Sequence, residues 1–346
     1  MAKIIYGVSG EGSGHSSRAR EMLGSLITAG HEVLVVSYDR GARNLKDDFH
    51  VLEITGLHIV SRDNKVSVAA TAKHNARAFG KLRASWAAVG QAMDEFAPSL
   101  VITDFEPMTA YAARRRGLPL VTIDNQHRMR FMSYPPVPGA RWDSFITRSI
   151  IRLMVPTPAF SLVTTFYFGA TTDPRAELFS PILRDRVRAL KPELQEHVLV
   201  YATQGFDSLL DVLRQFPDQP FRVYGYDRDD PEGNIVFRPF SVEGFLDDLR
   251  AASGVVATAG FTLMTEALHL RKPLFALPMQ GQFEQMLNGH LLENLGYGCQ
   301  ASEVSVEGLG RFLGQRQAYR QALTAYPDDA GDAIKDRLEA IIGQIG

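Results

Sequence analysis

The sequence predicts an α/β protein built of two doubly wound, Rossmann-like domains facing a central cleft. Three observations lead there. Short β-branched runs alternate with amphipathic stretches from the first residues onward, the pattern of parallel sheets covered by helices. The alternation breaks between about residues 169 and 191, where Thr172-Asp-Pro, Ser180-Pro and Lys191-Pro punctuate the chain, and then restarts. Each half also carries a glycine turn between a strand and a helix. The linker is therefore expected within 169–191, with an N-terminal domain over 1–182 and a C-terminal domain over 183–346. The final helix of the second domain is free to pack back on the first.

The elements follow in order. Lys3–Val8 is a first strand, its apolar run too short for a signal peptide. Residues 15–29 form a helix and Glu32–Ser37 the next strand. The stretch 67–96, rich in alanine and punctuated by Arg and Lys, is one or two helices. Strands at 100–103 and 120–123 flank the helical Pro107–Arg116. Beyond the linker, strands are expected at 197–202, Phe221–Tyr224, 235–237, 254–257 and Leu274–Leu277. Helices are expected at 206–216, 242–250, 262–270 and 283–295. Ligands of such folds bind beyond the carboxyl ends of the strands.

Composition removes several classes of function. The 346 residues are 45% hydrophobic and 22% charged, which excludes a disordered or collagenous chain. With 37 Lys and Arg against 39 Asp and Glu the net charge is −2, so no global basic excess draws the chain onto nucleic acid. Residues 1–180 carry +5 and the remainder −7, and a mildly positive first half suits an anionic ligand or a membrane face. The single cysteine, Cys299, makes no internal disulfide, and no zinc-type spacing exists, so a reducing, cytoplasmic setting is expected. No run of about 18 apolar residues appears.

Residues 7–15, Gly-Val-Ser-Gly-Glu-Gly-Ser-Gly-His, join the first strand to the first helix. Their glycines let the backbone approach a ligand, and the helix N-terminus favours negative charge there. Gly10 and Gly12 supply two positions of a dinucleotide fingerprint, but His15 takes the third; Asp39 could still hold a ribose, which keeps a nicotinamide enzyme open. The nucleophile elbow GxSxG fails at Glu11. His15 opens a helix, where the dipole disfavours imidazolium, and a neutral imidazole is a competent general base; otherwise it caps the helix or packs under the loop. Asp104 and Glu106 end the strand at 100–103, and one of them could orient His15. Asp104 has the alternative of capping the helix at Pro107. Asp227-Arg-Asp229-Asp230 offers a metal-binding DxD pattern, but its Pro/Gly-bounded turn reads as a solvated loop.

The second informative stretch runs from Phe240 to Gln285. Gly260 and Phe261 make a tight strand-to-helix turn whose free N–H groups could cradle a diphosphate, with Thr262 beside them. Glu266, one turn further, can accept from vicinal ribose hydroxyls, and Gln285 can donate to and accept from a sugar. This constellation resembles the nucleotide-sugar signature of GT-B glycosyltransferases, above all the UDP-glycosyltransferases of plants and animals. It is looser in the bacterial N-acetylglucosaminyltransferase of lipid II synthesis. In that resemblance Phe240 falls on the aromatic that stacks the uracil, Phe261 on the signature Trp, Glu266 on the ribose-binding Glu, and Glu284 with Gln285 on the terminal acidic–Gln pair. Thr258 stands where the family has a phosphate-contacting His, and Arg271-Lys-Pro where it has Gly-x-Pro. At the other end, the Gly12-Ser-Gly14-His15 loop resembles the family's acceptor-side loop, and His15 with Asp104 resembles its His–Asp dyad.

The resemblance implies a GT-B enzyme that transfers a sugar from a UDP-sugar to an acceptor hydroxyl, inverting and metal-independent. His15 would be the base and Asp104 its orienter. Gly12, Gly14, Thr203, Gln204, Gly205, Gly260, Phe261 and Thr262 would surround the nucleotide sugar. No metal and no cofactor beyond the UDP-sugar co-substrate is implied. Related enzymes hydrolyse or epimerise UDP-sugars, and a non-catalytic nucleotide-sugar module is a third reading. Arg141–Met154 is apolar with three spaced arginines: it either rests on anionic lipid at the inner membrane face, admitting a lipid-linked or cell-envelope acceptor, or packs in the core with a basic edge exposed.

Overall fold

The computed structural model describes residues 1–58, 61–62, 65–66, 68–201, 207–226, 228–279 and 281–345. The first strand, β1 (Lys3–Val8), is buried at five of its six positions, as a strand covered on both faces must be. Helix α1 (Gly14–Thr28) leads to β2 (Glu32–Ser37), and α2 (Asp39–Leu45) to β3 (Val51–Glu53). A small hairpin, β4 (Ser61–Arg62) and β5 (Lys65–Val66), precedes α3 (Val68–Arg77) and α4 (Phe79–Phe96). The alanine-rich stretch is thus two helices. Then come β6 (Leu100–Asp104), α5 (Pro107–Arg116), β7 (Leu120–Asp124), α6 (Arg128–Phe131), α7 (Arg141–Met154), β8 (Phe160–Thr164) and β9 (Ala176–Phe179).

These strands form one parallel sheet in the order β3-β2-β1-β6-β7-β8-β9. Three strands of this sheet, β3, β8 and β9, depart from the sequence reading. β8 holds Ser161 and Thr164 in its interior, so it lacks a continuous apolar run; the Ser161 hydroxyl is satisfied by Thr122 Oγ1 at 2.7 Å. β9 lies inside the stretch expected to be linker: the Asp-Pro and Ser-Pro signals bound a four-residue edge strand instead of an extended connection.

The chain then builds α8 (Asp185–Arg188), β10 (Val198–Tyr201), α9 (Asp207–Arg214), β11 (Phe221–Tyr224), β12 (Pro231–Glu232), β13 (Ile235–Arg238), α10 (Val242–Ala251), β14 (Gly254–Thr258), α11 (Phe261–His269), β15 (Leu274–Leu277), α12 (Phe283–Asn294), β16 (Gly298–Gln300) and α13 (Val306–Leu323). Their sheet runs β12-β13-β11-β10-β14-β15-β16, parallel except for the β12–β13 pair. The last helix is α14 (Asp332–Ile345). Its Ile334, Leu338 and Ile341 repeat at helical spacing and pack among Ile4, Tyr6, Met22 and Leu26 of the first sheet and α1. Arg337 adds two bonds of 2.9 Å to the Glu177 carboxylate on β9.

Two compact units result: residues 1–134, 141–184 and 329–346, and residues 135–140 and 185–328. The first unit therefore reclaims 329–346, which the boundary at 183 had assigned to the second domain, through its final helix. In both sheets the strand order reverses once, between β1 and β6 and between β10 and β14. Such switch points open a crevice at the carboxyl ends of the two strands.

Candidate active site

In the first unit the switch point brings two distant segments together. Val8, the last residue of β1, lies in register with Asp104, the last of β6. His15, in the first turn of α1, therefore reaches Asp104, and its Nδ1 is 2.7 Å from Oδ1. Asp104 is fully buried, whereas the His15 side chain keeps 12% of its surface exposed. Arg18, one turn along α1, grips the same carboxylate with Nε to Oδ2 at 2.9 Å and Nη2 to Oδ1 at 2.7 Å. Its Nη1 donates to Asn125 Oδ1, just past β7, at 3.3 Å. Burial works against the Arg18 cation, but Asp104 outweighs it and raises the guanidinium above its ordinary value.

This geometry selects between the neutral tautomers. A carboxylate held by an arginine can only accept, so a neutral His15 carries its proton on Nδ1 and its lone pair on Nε2. The turn after Asp104 is strained: Phe105 has φ 59°, a left-handed conformation that costs a bulky residue about 1–3 kcal/mol.

The other expected carboxylate has a different task. Glu106, not Asp104, caps α5: it is fully buried and accepts from Met108 N and Thr109 N at 2.8 Å and from Thr109 Oγ1 at 2.6 Å. Burial raises its carboxyl, with those bonds opposing. A cap with both oxygens committed neither orients His15 nor serves as a reserve base. The glycines of the loop also divide. A Cβ on Gly7 would meet Thr109 Oγ1 at 2.0 Å, and one on Gly10 would meet Tyr38 Cδ2 at 2.5 Å, so these two serve packing within the unit rather than ligand approach. Gly12, with φ +77° and open space around it, leaves its backbone accessible. Asp39 pairs with His58 at 3.2 Å.

Sequence reasoning missed Arg18, Asn125 and a second dyad. Asp124 ends β7 and binds His127 twice, to its backbone N at 2.8 Å and to Nδ1 at 2.7 Å, with both side chains fully buried. Burial alone would raise the Asp124 carboxyl, but the His127 ring and N–H, with Arg18 beyond, hold it below the usual range. The signal was Asp-Asn-Gln-His directly after a buried strand, a cluster of polar residues at a carboxyl end.

The second switch point is chemically plainer. Gly260 follows β14 and precedes α11; no side chain caps this helix, and a Cβ on Gly260 would meet nothing within 4 Å. Phe261, Thr262 and Glu266 lie on α11, with Phe261 and Glu266 buried. Asn288 of α12 donates to Ala259 O at 2.8 Å and holds the turn from below. Phe240, between β13 and α10, is 65% exposed, with its ring 6.3 Å from that of Phe245. Glu284 and Gln285 lie in the first turn of α12, where Gln285 Oε1 accepts from Met279 N at 3.1 Å and Nε2 donates to Gln282 at 2.9 Å. Gln285 thus shapes the loop before it. Thr203, Gln204 and Gly205, which follow β10, lie outside the described residues, as does Asp227. Asp230 of the DxD pattern is held by Arg228 through bonds of 3.0 and 2.6 Å. Among the described residues no group of three or more His, Cys, Asp or Glu gathers as metal ligands would.

The two doubly wound units have the GT-B architecture, and solved glycosyltransferase structures share it. The calicheamicin glycosyltransferase CalG4 aligns over 100% of this chain and 99% of its own with a TM-score of 0.72 at 16% identity. The glycosyltransferase of kitacinnamycin aligns over 99% of each chain with a TM-score of 0.70 at 17% identity. UGT2 of Phytolacca americana, solved with UDP-2-fluoro-glucose and pterostilbene, aligns over 99% of each with a TM-score of 0.69 at 13% identity. The chain belongs to glycosyl transferase family 1, whose model matches residues 2–316. An uncharacterized glycosyltransferase of Methanosarcina mazei is 25% identical over 99% of both chains. One of Methanosarcina acetivorans is 24% identical over 87% of this chain and 84% of its own.

Proposed function

We propose that this glycosyltransferase moves a sugar from a UDP-sugar onto an acceptor hydroxyl, with inversion and without a metal ion. The observation that carries the reading is the His15 ring, with Nδ1–H on a buried, arginine-held Asp104 and Nε2 free to accept a proton. In the transfer, the acceptor oxygen attacks the anomeric carbon as the bond from that carbon to the diphosphate breaks. The hydroxyl proton passes to His15 Nε2, and the nucleoside diphosphate leaves with the bonding pair. The first unit is then the acceptor side and the second the donor side. The uncapped start of α11 at Gly260 offers N–H groups to the leaving diphosphate, and Phe240 offers an exposed ring to the base. Arg18 is a positioning residue, acting through Asp104.

UDP is the first choice of nucleotide because the Phe240, Phe261 and Glu266 pattern resembles UDP-dependent enzymes, and UGT2 was solved with a UDP-sugar analogue. Thymidine diphosphate is the competitor, since SsfS6 and VinC were solved with it. A thermal-shift panel of nucleoside diphosphates tests the choice: UDP should raise the melting temperature most. Transfer with an α-linked UDP-sugar should give a β-linked product, unaffected by chelator. A product of retained configuration would overturn the mechanism, and UDP plus free sugar in the presence of every acceptor tried would replace transfer by hydrolysis.

A further inference from the structure

Helix α7 buries Ile151 and packs Met154 against the core of its unit, but presents a second apolar face outward. At 100° per residue, Trp142, Phe145, Ile146, Ser149 and Leu153 share one face. Trp142, Phe145 and Leu153 are each more than half exposed, and the Trp142 and Phe145 rings stack with centroids 5.5 Å apart. By the same geometry Arg141, Arg148 and Arg152 form a row along one edge of that face, and Asp143 lies on the other edge.

Two neighbours extend the surface. Arg130 donates through Nη1 to Val155 O, just past the end of α7, at 3.3 Å. Burial, with Arg152 and Arg175 facing it, holds the Arg130 guanidinium below its ordinary value, and Asp173 opposes the shift. Asp173 is itself held by Arg175 through bonds of 2.8 and 2.6 Å, so the edge of the helix carries a net excess of cations. Leu153 and the exposed Phe79 of α4 both line a cavity of about 670 Å³ that also takes in Leu82, Trp86, Met108 and Met154. The apolar face of α7 thus continues into an apolar cavity of the same unit. Contiguous apolar surface of this kind, edged by charge, marks an interaction site.

We propose that α7 lies flat on an anionic lipid bilayer. Trp142, Phe145 and Leu153 enter the boundary of the acyl chains, the row of Arg141, Arg148 and Arg152 meets the phosphates, and the cavity beside Leu153 opens at the level of the lipid. Charge complementarity selects this occupant. A protein partner would need a matching acidic strip, whereas an anionic leaflet supplies one everywhere, and long arginine side chains reach phosphates while their stems stay on apolar surface.

The full chain is mixed with vesicles of phosphatidylcholine alone or with one quarter phosphatidylglycerol. The protein has two tryptophans, so Trp86→Phe leaves Trp142 as the only reporter. Binding is expected on the anionic vesicles, with a blue shift of Trp142 emission and release by high salt. Arg148→Gln with Arg152→Gln should weaken that binding about tenfold or more. Phe145→Ser with Leu153→Ser should weaken it comparably, with circular dichroism unchanged because both side chains face solvent. Absence of binding to the anionic vesicles overturns the proposal, as does binding with Trp142 emission unmoved. Equal binding to both vesicle types overturns the arginine row.

Discussion

The two units solve the same topological problem with opposite materials. Each reverses strand order once and so opens a crevice at the carboxyl ends of two neighbouring strands. At β1 and β6 the crevice is filled from below with buried polar side chains, the Asp104–Arg18 pair with Asn125, and next to them Asp124 and His127. At β14 the described part of the crevice is a bare glycine turn and an uncapped helix start. On the proposed roles the contrast has a physical reason. A proton acceptor needs one nitrogen in one tautomer at one angle, which only a rigid charged scaffold secures. A diphosphate needs backbone donors and room, which a side chain would obstruct.

The largest test of that contrast removes the base. His15→Ala should lower turnover by about 10²–10⁴-fold, the usual contribution of a positioned general base, and leave UDP affinity by calorimetry nearly unchanged. The acidic limb of the kcat/KM profile should vanish with it. Retention of most turnover at saturating donor and acceptor would put the base elsewhere. Glu11 would then be the candidate, since Glu106 is committed to its cap.

The next effect probes the scaffold beneath the base. Arg18→Lys keeps the charge but loses the fork that fits a carboxylate. Losing one charge-assisted bond of about 1.5–3 kcal/mol should lower kcat roughly tenfold or more, with donor KM unchanged. If Arg18 served stability alone, the melting temperature would drop and kcat per folded molecule would not.

How much of this was legible in the sequence differs between the two crevices for a physical reason. Gly260, Phe261 and Glu266 lie within seven consecutive residues, so their spacing alone places them on one short helix, α11, with Gly260 at its start. His15 was legible as a helix-start residue and Asp104 as a strand-end residue, but Arg18 joins Asp104 across 86 residues and Asn125 across 107, contacts that exist only once β1, β6 and β7 are neighbours. Glu106 was misread because a carboxylate just after a strand looks alike whether it faces a ligand or turns back to cap the next helix. The edge strand β9 was hidden by the prolines that bound it.

Variants of the second unit should show the converse signature. Phe240→Ala removes a stacking face, and Glu266→Ala removes a hydrogen-bonding carboxylate; each should weaken UDP binding by about 1–3 kcal/mol. Neither should alter the acidic limb of the pH profile. A shift of that limb in Phe240→Ala would mean that the two crevices are not chemically separate, and unchanged UDP affinity in Glu266→Ala would remove it from the ribose.

The smallest effect separates the second dyad, Asp124 with His127, from the proposed dyad of His15 and Asp104. Asp124 lies one strand beyond Asp104 and is held below the usual carboxylate range by His127 and Arg18 against the cost of burial. A carboxyl depressed in the native state stabilises the fold above its unfolded pKa, near 3.9, and that contribution is lost as pH falls through the lower native value. Asp124→Asn keeps the shape and one of the two acceptor oxygens that bind His127, but not the charge, so it should cost about 1–3 kcal/mol near pH 6. The gap to the unmodified protein should narrow as pH drops below 4, because protonation then makes the two side chains electrically alike. Melting curves at pH 3 to 6 read the gap directly. A constant gap would mean that Asp124 acts through shape alone, and the first crevice would then owe its rigidity to Arg18 and Asp104 without the neighbouring dyad.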